Sequence, residues 1–425
     1  MSASVVSLIA LLLAIVIGVV RKTNIGILCI GMAVLLGTFY QIKPSLIMKG
    51  FSTSLFLTIV GVTYLFSILS QNDSLTLLAS KLVRLVGSWK MMGYIMMFIS
   101  GVLICAAGPG AIPSLAIIPV LALPIARSSG LNPILLCLVG QMGVQGGRMS
   151  PITPEAAVVL QLMEDQGLAA TTYATVPIMY FMLICEVFIF ISCFIYFKGW
   201  KVSEPIADVE MESQLTFNKN QIVTLMGLAA LLICVLVFKM NVGLTAFLIG
   251  TILLALGYGN EKAVIKAIPW NIILMVLGVG MLMQVMLISG GVDFLASILT
   301  SMMTVQTAPS IMVLISGVMS LFSSGLGVVF PTLIPTTGKI AASLPGVDPT
   351  ELVAMVVIGG TITGFSPIST IGALIMSAVA MEDEAEGMKG RHNQNILFRD
   401  LFVVAFFALI ISAAAGVLGL YRLLV

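Results

Sequence analysis

The sequence predicts an all-α polytopic membrane protein, an inverted-topology repeat with about 10 crossings, two re-entrant hairpins and two broken helices. Of the 425 residues, 59% are hydrophobic and 9% are charged, whereas soluble domains carry about 25% charged residues. The apolar residues fall in blocks of roughly 20, the length that crosses a bilayer. Several motifs recur at one fixed spacing. The composition excludes a soluble enzyme, a nucleic-acid-binding protein and a disordered chain.

The apolar blocks define the crossings and two further kinds of segment. The predicted crossings are 5–20, 25–40, 54–70, 131–165, 175–197, 221–238, 242–257, 270–289, 350–380 and 398–420. Blocks 131–165 and 350–380 are too long for one straight helix and contain Gly and Pro, so each is predicted to be a broken helix. Blocks 91–126 and 309–343 carry Gly and Pro near their middles, which leaves two short arms in each. They are predicted to be re-entrant hairpins.

Basic residues are distributed unevenly over the predicted loops. With the N-terminus outside, the inner side receives fourteen Lys and Arg residues and the outer side receives five. This positive-inside asymmetry predicts a multi-pass protein of the cell membrane (inner or plasma membrane) with both termini outside. The first apolar block lacks the flanks of a signal peptide and is expected to be a retained helix. Arg148 belongs to neither side.

The two halves of the chain share motifs. Residues 150–153 (SPIT) recur as 366–369 (SPIS), 216 residues later, and Gly143 matches Gly359 at the same spacing. Five crossings in each half would invert the second half, and such repeats characterise secondary transporters. The predicted organisation is a first repeat at 1–197 (scaffold helices 1–70, hairpin 91–126, broken helix 131–165), a cytoplasmic linker at 198–220, and a second repeat at 221–425 (scaffold helices 221–289, hairpin 309–343, broken helix 350–380).

The Gly/Pro interruptions predict a polar chamber at membrane depth. A helix break frees N–H groups, which favour anions, and carbonyl groups, which favour cations. The residues predicted to bind substrate are Arg148, Ser150, Thr153, Gly108, Gly110, Ser366, Ser369, Thr370, Ser324 and Gly325. Those predicted to hold a coupling cation are Gly147, Ser323, Thr363, Gly364 and Glu155. The alternative is that Gly and Pro only kink packed helices and that the hydroxyls bond carbonyls of their own helices.

Arg148 is the most informative single residue. An Arg at the bilayer centre costs roughly 2.5–3.5 kcal/mol on insertion scales, so it is expected to face a cavity or a partner. Its guanidinium matches a carboxylate through two parallel hydrogen bonds, which predicts a substrate carboxylate as its ligand. The alternative is a structural ion pair with Glu155. Glu186 lies within the block 175–197 and is expected to be a helix–helix hydrogen-bond partner or a proton site.

Four stretches resemble a known family. Residues 60–66 (VGVTYLF), 83–87 (VRLVG) and 146–152 (GGRMSPI) resemble the malonate/dicarboxylate carriers of the MatC type, and residues 365–374 (FSPISTIGAL) resemble that family's second signature. The wider pattern is similar to the divalent anion/sodium symporters of the ion-transporter superfamily. The resemblance implies a homodimer with a scaffold domain and a mobile transport domain that works by an elevator motion. It also implies that substrate and cation sites lie at the hairpin tips and helix breaks.

Function is therefore expected to be secondary active transport of small carboxylates, such as malonate or C4-dicarboxylates, coupled to Na⁺ or H⁺. No nucleotide-binding loop, metal cluster or nucleophile–base constellation appears in the sequence, so neither an enzyme nor a resident cofactor is expected. A rival is a cation/proton antiporter, for which Glu155 and Glu186 are the only acids that the pattern offers as an ion-binding pair. Other rivals are the membrane subunit of a binding-protein-dependent system and a channel.

Overall fold

The computed structural model describes residues 2–74, 77, 92–168, 171, 173–201, 217–367, 369–385 and 394–424. All regular secondary structure in these ranges is helical, as expected. The α-helices are α1 Ala3–Arg21, α2 Ile25–Phe39, α3 Pro44–Met48, α4 Thr53–Gln71, α5 Met92–Ala106, α6 Ala111–Ser129, α7 Pro133–Gly147, α8 Pro154–Glu164, α9 Val176–Tyr196, α10 Lys219–Leu236, α11 Val242–Ala255, α12 Glu261–Ala267, α13 Trp270–Ile288, α14 Gly291–Ser301, α15 Ala308–Phe322, α16 Phe330–Ser343, α17 Pro349–Ile362, α18 Thr370–Ala385 and α19 Gln394–Val417.

The duplication seen in the motifs extends to the helices. Helices α1, α5, α7 and α8 begin at residues 3, 92, 133 and 154, and α10, α15, α17 and α18 begin at residues 219, 308, 349 and 370. Each of these four pairs is 216 residues apart, which is the spacing of the sequence motifs. The order of elements in the first half therefore recurs in the second. The linker residues 202–216 and the motif at 83–87 lie outside the described residues.

The two halves pack on each other reciprocally. Helix α4 packs on α11 of the second half, and the corresponding α13 packs on α2 of the first half. At both helix contacts the two backbones touch directly. A Cβ atom on Gly61 would collide with the carbonyl of Gly243, and one on Gly278 would collide with that of Gly26. Small residues are the ordinary means of close helix contact in a membrane, where van der Waals packing drives association.

The buried apolar side chains form three clusters. One joins α1, α2, α3, α13 and α14 and includes Val328 at the second hairpin tip, and a second joins α4, α10, α11 and α12 and includes Ile152 at the first break. The third and largest joins the hairpins, the broken helices, α9 and α19, and it also takes in Leu55 of α4 and Ile273 of α13. The predicted scaffold helices and the predicted site elements therefore have largely separate cores, which meet along α4 and α13.

Among the described residues, five helical segments are long and apolar enough to cross a bilayer. They are Ala3–Arg21, Pro44–Gln71, Val176–Tyr196, Trp270–Ile288 and Asn395–Val417. The pair Ala308–Leu321 and Gly325–Ser343 makes a sixth if it is counted as one span, and it is bent by 120°. The chain is thus a multi-pass membrane protein, and the ten crossings remain a prediction. Exposed apolar side chains such as Leu12, Leu13 and Val16 on α1 suit contact with lipid.

The hairpins and breaks lie where Gly and Pro predict them, but the two hairpin tips differ. The first tip is a turn between α5 and α6 with positive φ at Gly108 (129°) and Gly110 (77°). The second tip passes from Ser323 and Ser324 into a π-helical turn, Gly325–Val329, that leads into α16. The first tip contains Pro109, whose missing N–H cannot extend a helical turn, whereas Leu326 at the second tip can.

The first hairpin also depends on a buried amide of α7. Pro119 has no N–H, so the carbonyl of Leu115 has no donor within its own helix. The Nε2 group of Gln141 donates to that carbonyl at 2.8 Å. This contact fixes α6 against α7, the first arm of the broken helix.

Candidate functional site

The turn between α7 and α8 is closed by its own hydroxyl groups. Thr153 Oγ1 lies 2.6 Å from the carbonyl of Arg148 and 2.8 Å from that of Ser150, and it accepts a hydrogen bond from the N–H of Ala156 at 3.3 Å. Thr153 is therefore the N-cap of α8. Its hydroxyl, predicted to bind substrate, already has partners within its own turn, as the alternative interpretation expects.

Ser150 and Gly147 join this turn to the first hairpin. Ser150 donates from Oγ to the carbonyl of Ala106, at 2.8 Å, where α5 ends. Gly147 lies against α5 so closely that a Cβ atom would collide with the carbonyl of Val102. At the tip, a Cβ atom on Gly108 would collide with the ring of Phe66 of α4. The hairpin tip is thus held between the broken helix and a scaffold helix.

Glu155 occupies the N-terminal end of α6 at the same tip. Its Oε1 accepts a hydrogen bond from the N–H of Ala111 at 2.8 Å, and its side chain is 1% exposed. The absence of a side chain at Gly110 makes room for it, because a Cβ atom there would collide with Oε2. A carboxylate is stabilised at a helix N-terminus by the unpaired N–H groups and the helix dipole. The chain itself therefore supplies an anion to this helix end.

Arg148 connects Glu155 to the second half of the chain. Its Nε lies 3.9 Å from Oε1 of Glu155, and its Nη1 donates to Oε1 of Gln145 at 3.1 Å. Gln145 in turn donates from Nε2 to the carbonyl of Thr361 at 2.9 Å. Nε of Arg148 has no hydrogen bond among the described residues, and its side chain is 11% exposed. The guanidinium is therefore paired but keeps unused donor capacity.

The second break provides free hydroxyl groups. After α17, a 3₁₀ turn covers Thr363–Phe365. Ser369 Oγ contacts the carbonyl of Gly364 and lies 2.8 Å from that of Ser366, so it closes its own turn as Thr153 does. The buried hydroxyls of Thr363 and Ser366 have no partner within the described part of the chain. Thr370 begins α18, and its side chain lies outside what the structure describes.

The second hairpin tip rests on the end of α17. A Cβ atom on Gly325 would collide with the carbonyl of Gly360, which also accepts a hydrogen bond from Ser320 at 2.7 Å. Ser324 accepts from the N–H of Gly327 at 3.0 Å, and Ser323 donates to the carbonyl of Met319 at 2.7 Å. All the predicted site residues thus lie at the two breaks and the two tips. The first break and tip carry charged side chains, whereas the predicted residues that the structure describes at the second break and tip offer only hydroxyl and backbone groups.

Two cavities lie between the scaffold helices and these elements. One of about 360 Å³ is lined by Ser323, Ser324 and Ser369 together with Lys22. The larger, of about 690 Å³, lies between the loop after α3, helix α4 and helix α13 on one side and α8 and α16 on the other, and Lys49 and Lys339 line it. None of the predicted site residues lines the larger cavity. Helix periodicity does not reveal a cleft of this kind, because its walls come from both halves.

Sequence reasoning missed two polar residues. Gln145 was not singled out, although it precedes the Gly146–Gly147 break by one residue and a glutamine at membrane depth is a recognisable signal. Glu351 was also not singled out, although it is a fully buried acid like Glu155 and Glu186. Its Oε2 accepts a hydrogen bond from Nε of Arg422 at 2.8 Å. Glu351 lies in the first turn of α17, and its burial depends on the C-terminal turn 71 residues away.

Metal ligands are sparse in the described ranges. No group of three or more His, Cys, Asp or Glu residues there could hold a metal ion.

Glu186 is fully buried, and neither of its carboxylate oxygens has a hydrogen-bond partner among the residues that the structure describes. The hydroxyls of Thr363 and Ser366, with the carbonyls freed by the break, are the hard oxygen donors that suit a small cation.

Two family models match the chain. The N-terminal part of the dicarboxylate carrier protein MatC matches residues 1–148, and the citrate transporter family matches residues 232–425. A search of curated protein sequences finds no significant match. The matched ranges end at Arg148 in the first half and include the whole second hairpin and second break.

Two solved structures share the fold. The YdaH transporter of Alcanivorax borkumensis is 14% identical, with a TM-score of 0.59, over 90% of this chain and 88% of that one. MtrF of Neisseria gonorrhoeae, described as one of a class of antimetabolite efflux pumps, is 15% identical, also with a TM-score of 0.59, over 87% of this chain and 82% of that one. At this identity the likeness concerns the fold alone. Each family model matches less than half of the chain, but both describe transporters and neither describes enzymes, so the two matches together identify the chain as a membrane carrier of the dicarboxylate and citrate transporter kind.

Proposed function

We propose that the chain is a secondary active transporter of small dicarboxylates, such as malonate or C4-dicarboxylates, and that Arg148 binds a substrate carboxylate. The observation that carries this proposal is the position of Arg148 at the break between α7 and α8, with Nε unused and its side chain 11% exposed. A guanidinium offers two parallel donors to a carboxylate. We propose that Gly108 and Gly110 at the first hairpin tip, to which Ser150 is joined through its hydrogen bond to Ala106, contribute backbone groups to the same site.

An elevator-type motion is supported by the separation of the cores. The hairpins and broken helices share one apolar cluster, and most scaffold helices belong to two others. The cavity of about 690 Å³ follows the boundary between these bodies. Movement of one body against the other would open a cleft to each side of the membrane in turn. A homodimer, as the family resemblance implies, would hold the scaffold still.

The membrane potential sets how many cations must move together with an imported dianion. Moving a dianion inward against an inside-negative potential of 100 mV costs about 4.6 kcal/mol, twice the ~2.3 kcal/mol per charge. Import therefore needs at least two coupled cations to be electroneutral, whereas export and exchange need none. The free hydroxyls of Thr363 and Ser366 support Na⁺ as one candidate for a coupling ion, and the carboxylate of Glu155 supports H⁺ as another.

The proposal is tested by transport measurements on the purified protein in proteoliposomes. Labelled malonate, succinate and citrate are offered under an inward Na⁺ gradient, an inward H⁺ gradient and no gradient, with protein-free liposomes as the control. Uptake of at least one dicarboxylate above the control is expected. If no carboxylate enters under any gradient, the proposal is wrong. Movement of Na⁺ or H⁺ without any carboxylate would instead indicate the antiporter.

A further inference from the structure

We infer that Glu155 is an internal carboxylate that occupies the site of the empty carrier, and that it releases Arg148 to the substrate when it takes up a proton. The inference rests on the proposed function, because it concerns the same site. It selects H⁺ over Na⁺ as an ion coupled there, and it assigns the proton to one residue. It also implies that substrate and Glu155 compete for a single guanidinium.

The first support is that Glu155 lies beside the two groups that would hold a bound carboxylate: it is hydrogen-bonded to the first and at ion-pair distance from the second. Oε1 accepts from the N–H of Ala111 at the helix N-terminus and lies 3.9 Å from Nε of Arg148. A helix N-terminus and a guanidinium are both favourable sites for a carboxylate. Glu155, an acid of the chain itself, already lies against both the N-terminus of α6 and the guanidinium of Arg148. A substrate carboxylate can use Arg148 fully only if Glu155 no longer requires it.

The second support is the state of the two polar groups that the pair leaves unused. Oε2 of Glu155 and Nε of Arg148 are buried and have no hydrogen bond among the described residues. An ionised carboxylate buried with one oxygen unpartnered is under-satisfied, and a proton on Oε2 would remove its charge. The neutral acid can still accept the hydrogen bond from Ala111 through Oε1. Arg148 would then keep Gln145 as a partner and have its remaining donors free.

The third support is that few other charges act on Glu155. Besides Arg148, the titratable group that interacts with it is the thiol of Cys105 on α5. Helices α4 and α16 also pack on α8. The first has no Asp, Glu, Lys, Arg or His residue, and the second has only Lys339, which is paired with Asp293. The charge of the site therefore depends on Arg148, Glu155 and whatever anion enters.

The charges of Arg148, Glu155 and the substrate set the order of the steps, and the ion and substrate gradients set their direction. In the empty carrier Arg148 and Glu155 cancel, so the site can cross the membrane without a net charge. When a substrate carboxylate binds Arg148, the unpaired anion of Glu155 takes a proton from the water on the side that the site faces. On the other side Glu155 loses that proton, pairs with Arg148 again and displaces the substrate. One proton accompanies each substrate through this residue.

The test compares Glu155→Gln with wild-type protein and with Glu186→Gln, a matched change at a buried acid outside the site. Labelled malonate is measured in proteoliposomes in two modes: accumulation driven by an inward pH gradient, and counterflow exchange at equal pH. Glu155→Gln is expected to lose gradient-driven accumulation, whereas its counterflow exchange is expected to fall much less. Glu186→Gln is expected to retain both. Gradient-driven accumulation by Glu155→Gln, or its loss in Glu186→Gln alone, would overturn the inference.

A measurement on wild-type protein keeps the inference testable if Glu155→Gln does not fold. Malonate binding is followed by calorimetry in two buffers of different ionisation enthalpy, at a pH where malonate itself is fully ionised. Uptake of about one proton per malonate bound is expected. Malonate binding with no proton uptake would overturn the inference and leave the proposed function standing. If malonate, succinate and citrate all fail to bind and to be transported, the proposed function itself is wrong and the inference falls with it.

Discussion

The side-chain amide of Gln145 donates a hydrogen bond to the main-chain carbonyl of Thr361, its counterpart 216 residues later in the duplicated chain. Thr361 lies in the last turn of α17, where carbonyl groups lack the regular helical donor, and its carbonyl also accepts from the N–H of the C-cap residue Thr363. The same amide accepts from Arg148. One side chain therefore links the charged break of the first half to the open carbonyls of the second.

Replacing Gln145 by Leu is expected to affect binding as well as stability. The change removes the side-chain donor of the Thr361 carbonyl, which keeps only the N–H of Thr363, and frees Arg148 from a partner; one lost hydrogen bond costs about 0.5–1.5 kcal/mol. We expect the apparent Tm in detergent to fall and the KM for malonate transport to rise several-fold. The matched control is Gln141→Leu, which removes the bond to Leu115. It should lower Tm and leave KM unchanged, and equal KM values for the two variants would contradict this role.

Replacing Gly110 by Ala is expected to disrupt the first hairpin tip. Gly110 has φ 77° and ψ −174°, a region that is essentially restricted to Gly and strains other residues by about 1–3 kcal/mol. The added Cβ atom would also displace the carboxylate of Glu155. The control is Gly167→Ala, at φ 71° with no atom within 4 Å of the added carbon. A thermal unfolding series should show a larger loss at position 110, and equal losses would count against the contact with Glu155.

The scaffold crossing between α4 and α11 gives a third prediction. Gly61→Ala places a Cβ atom against the carbonyl of Gly243, and overpacking of this kind costs about 1–3 kcal/mol. Gly31→Ala, in α2 with open space around it, should be neutral or stabilising by up to about 1 kcal/mol, because Ala favours a helix over Gly. The apparent Tm of the two variants tests this prediction, and Gly61→Ala should have the lower value. A Gly61→Ala protein as stable as Gly31→Ala would contradict the close crossing.

The fold was largely predictable because Gly and Pro punctuate long apolar blocks. The predicted crossing 25–40 is the helix Ile25–Phe39, and the predicted broken helix 131–165 is α7 and α8. The site was less predictable. The bond from Glu155 to Ala111 and the ion pair of Glu351 with Arg422 join residues 44 and 71 positions apart, and no local pattern encodes such contacts. The hydroxyls of Thr153 and Ser369 close their own turns, a choice that sequence leaves open.

The central claim is that Arg148 binds a substrate carboxylate, and calorimetry of malonate binding to purified Arg148→Lys tests it most directly. Lysine keeps the charge but loses the paired donors, and a hydrogen bond to a charged group is worth about 1.5–3 kcal/mol. We predict that Kd rises by about tenfold or more, while Arg422→Lys, at the other pair with a buried acid, leaves Kd unchanged. An unaltered Kd in a folded Arg148→Lys protein would contradict the claim.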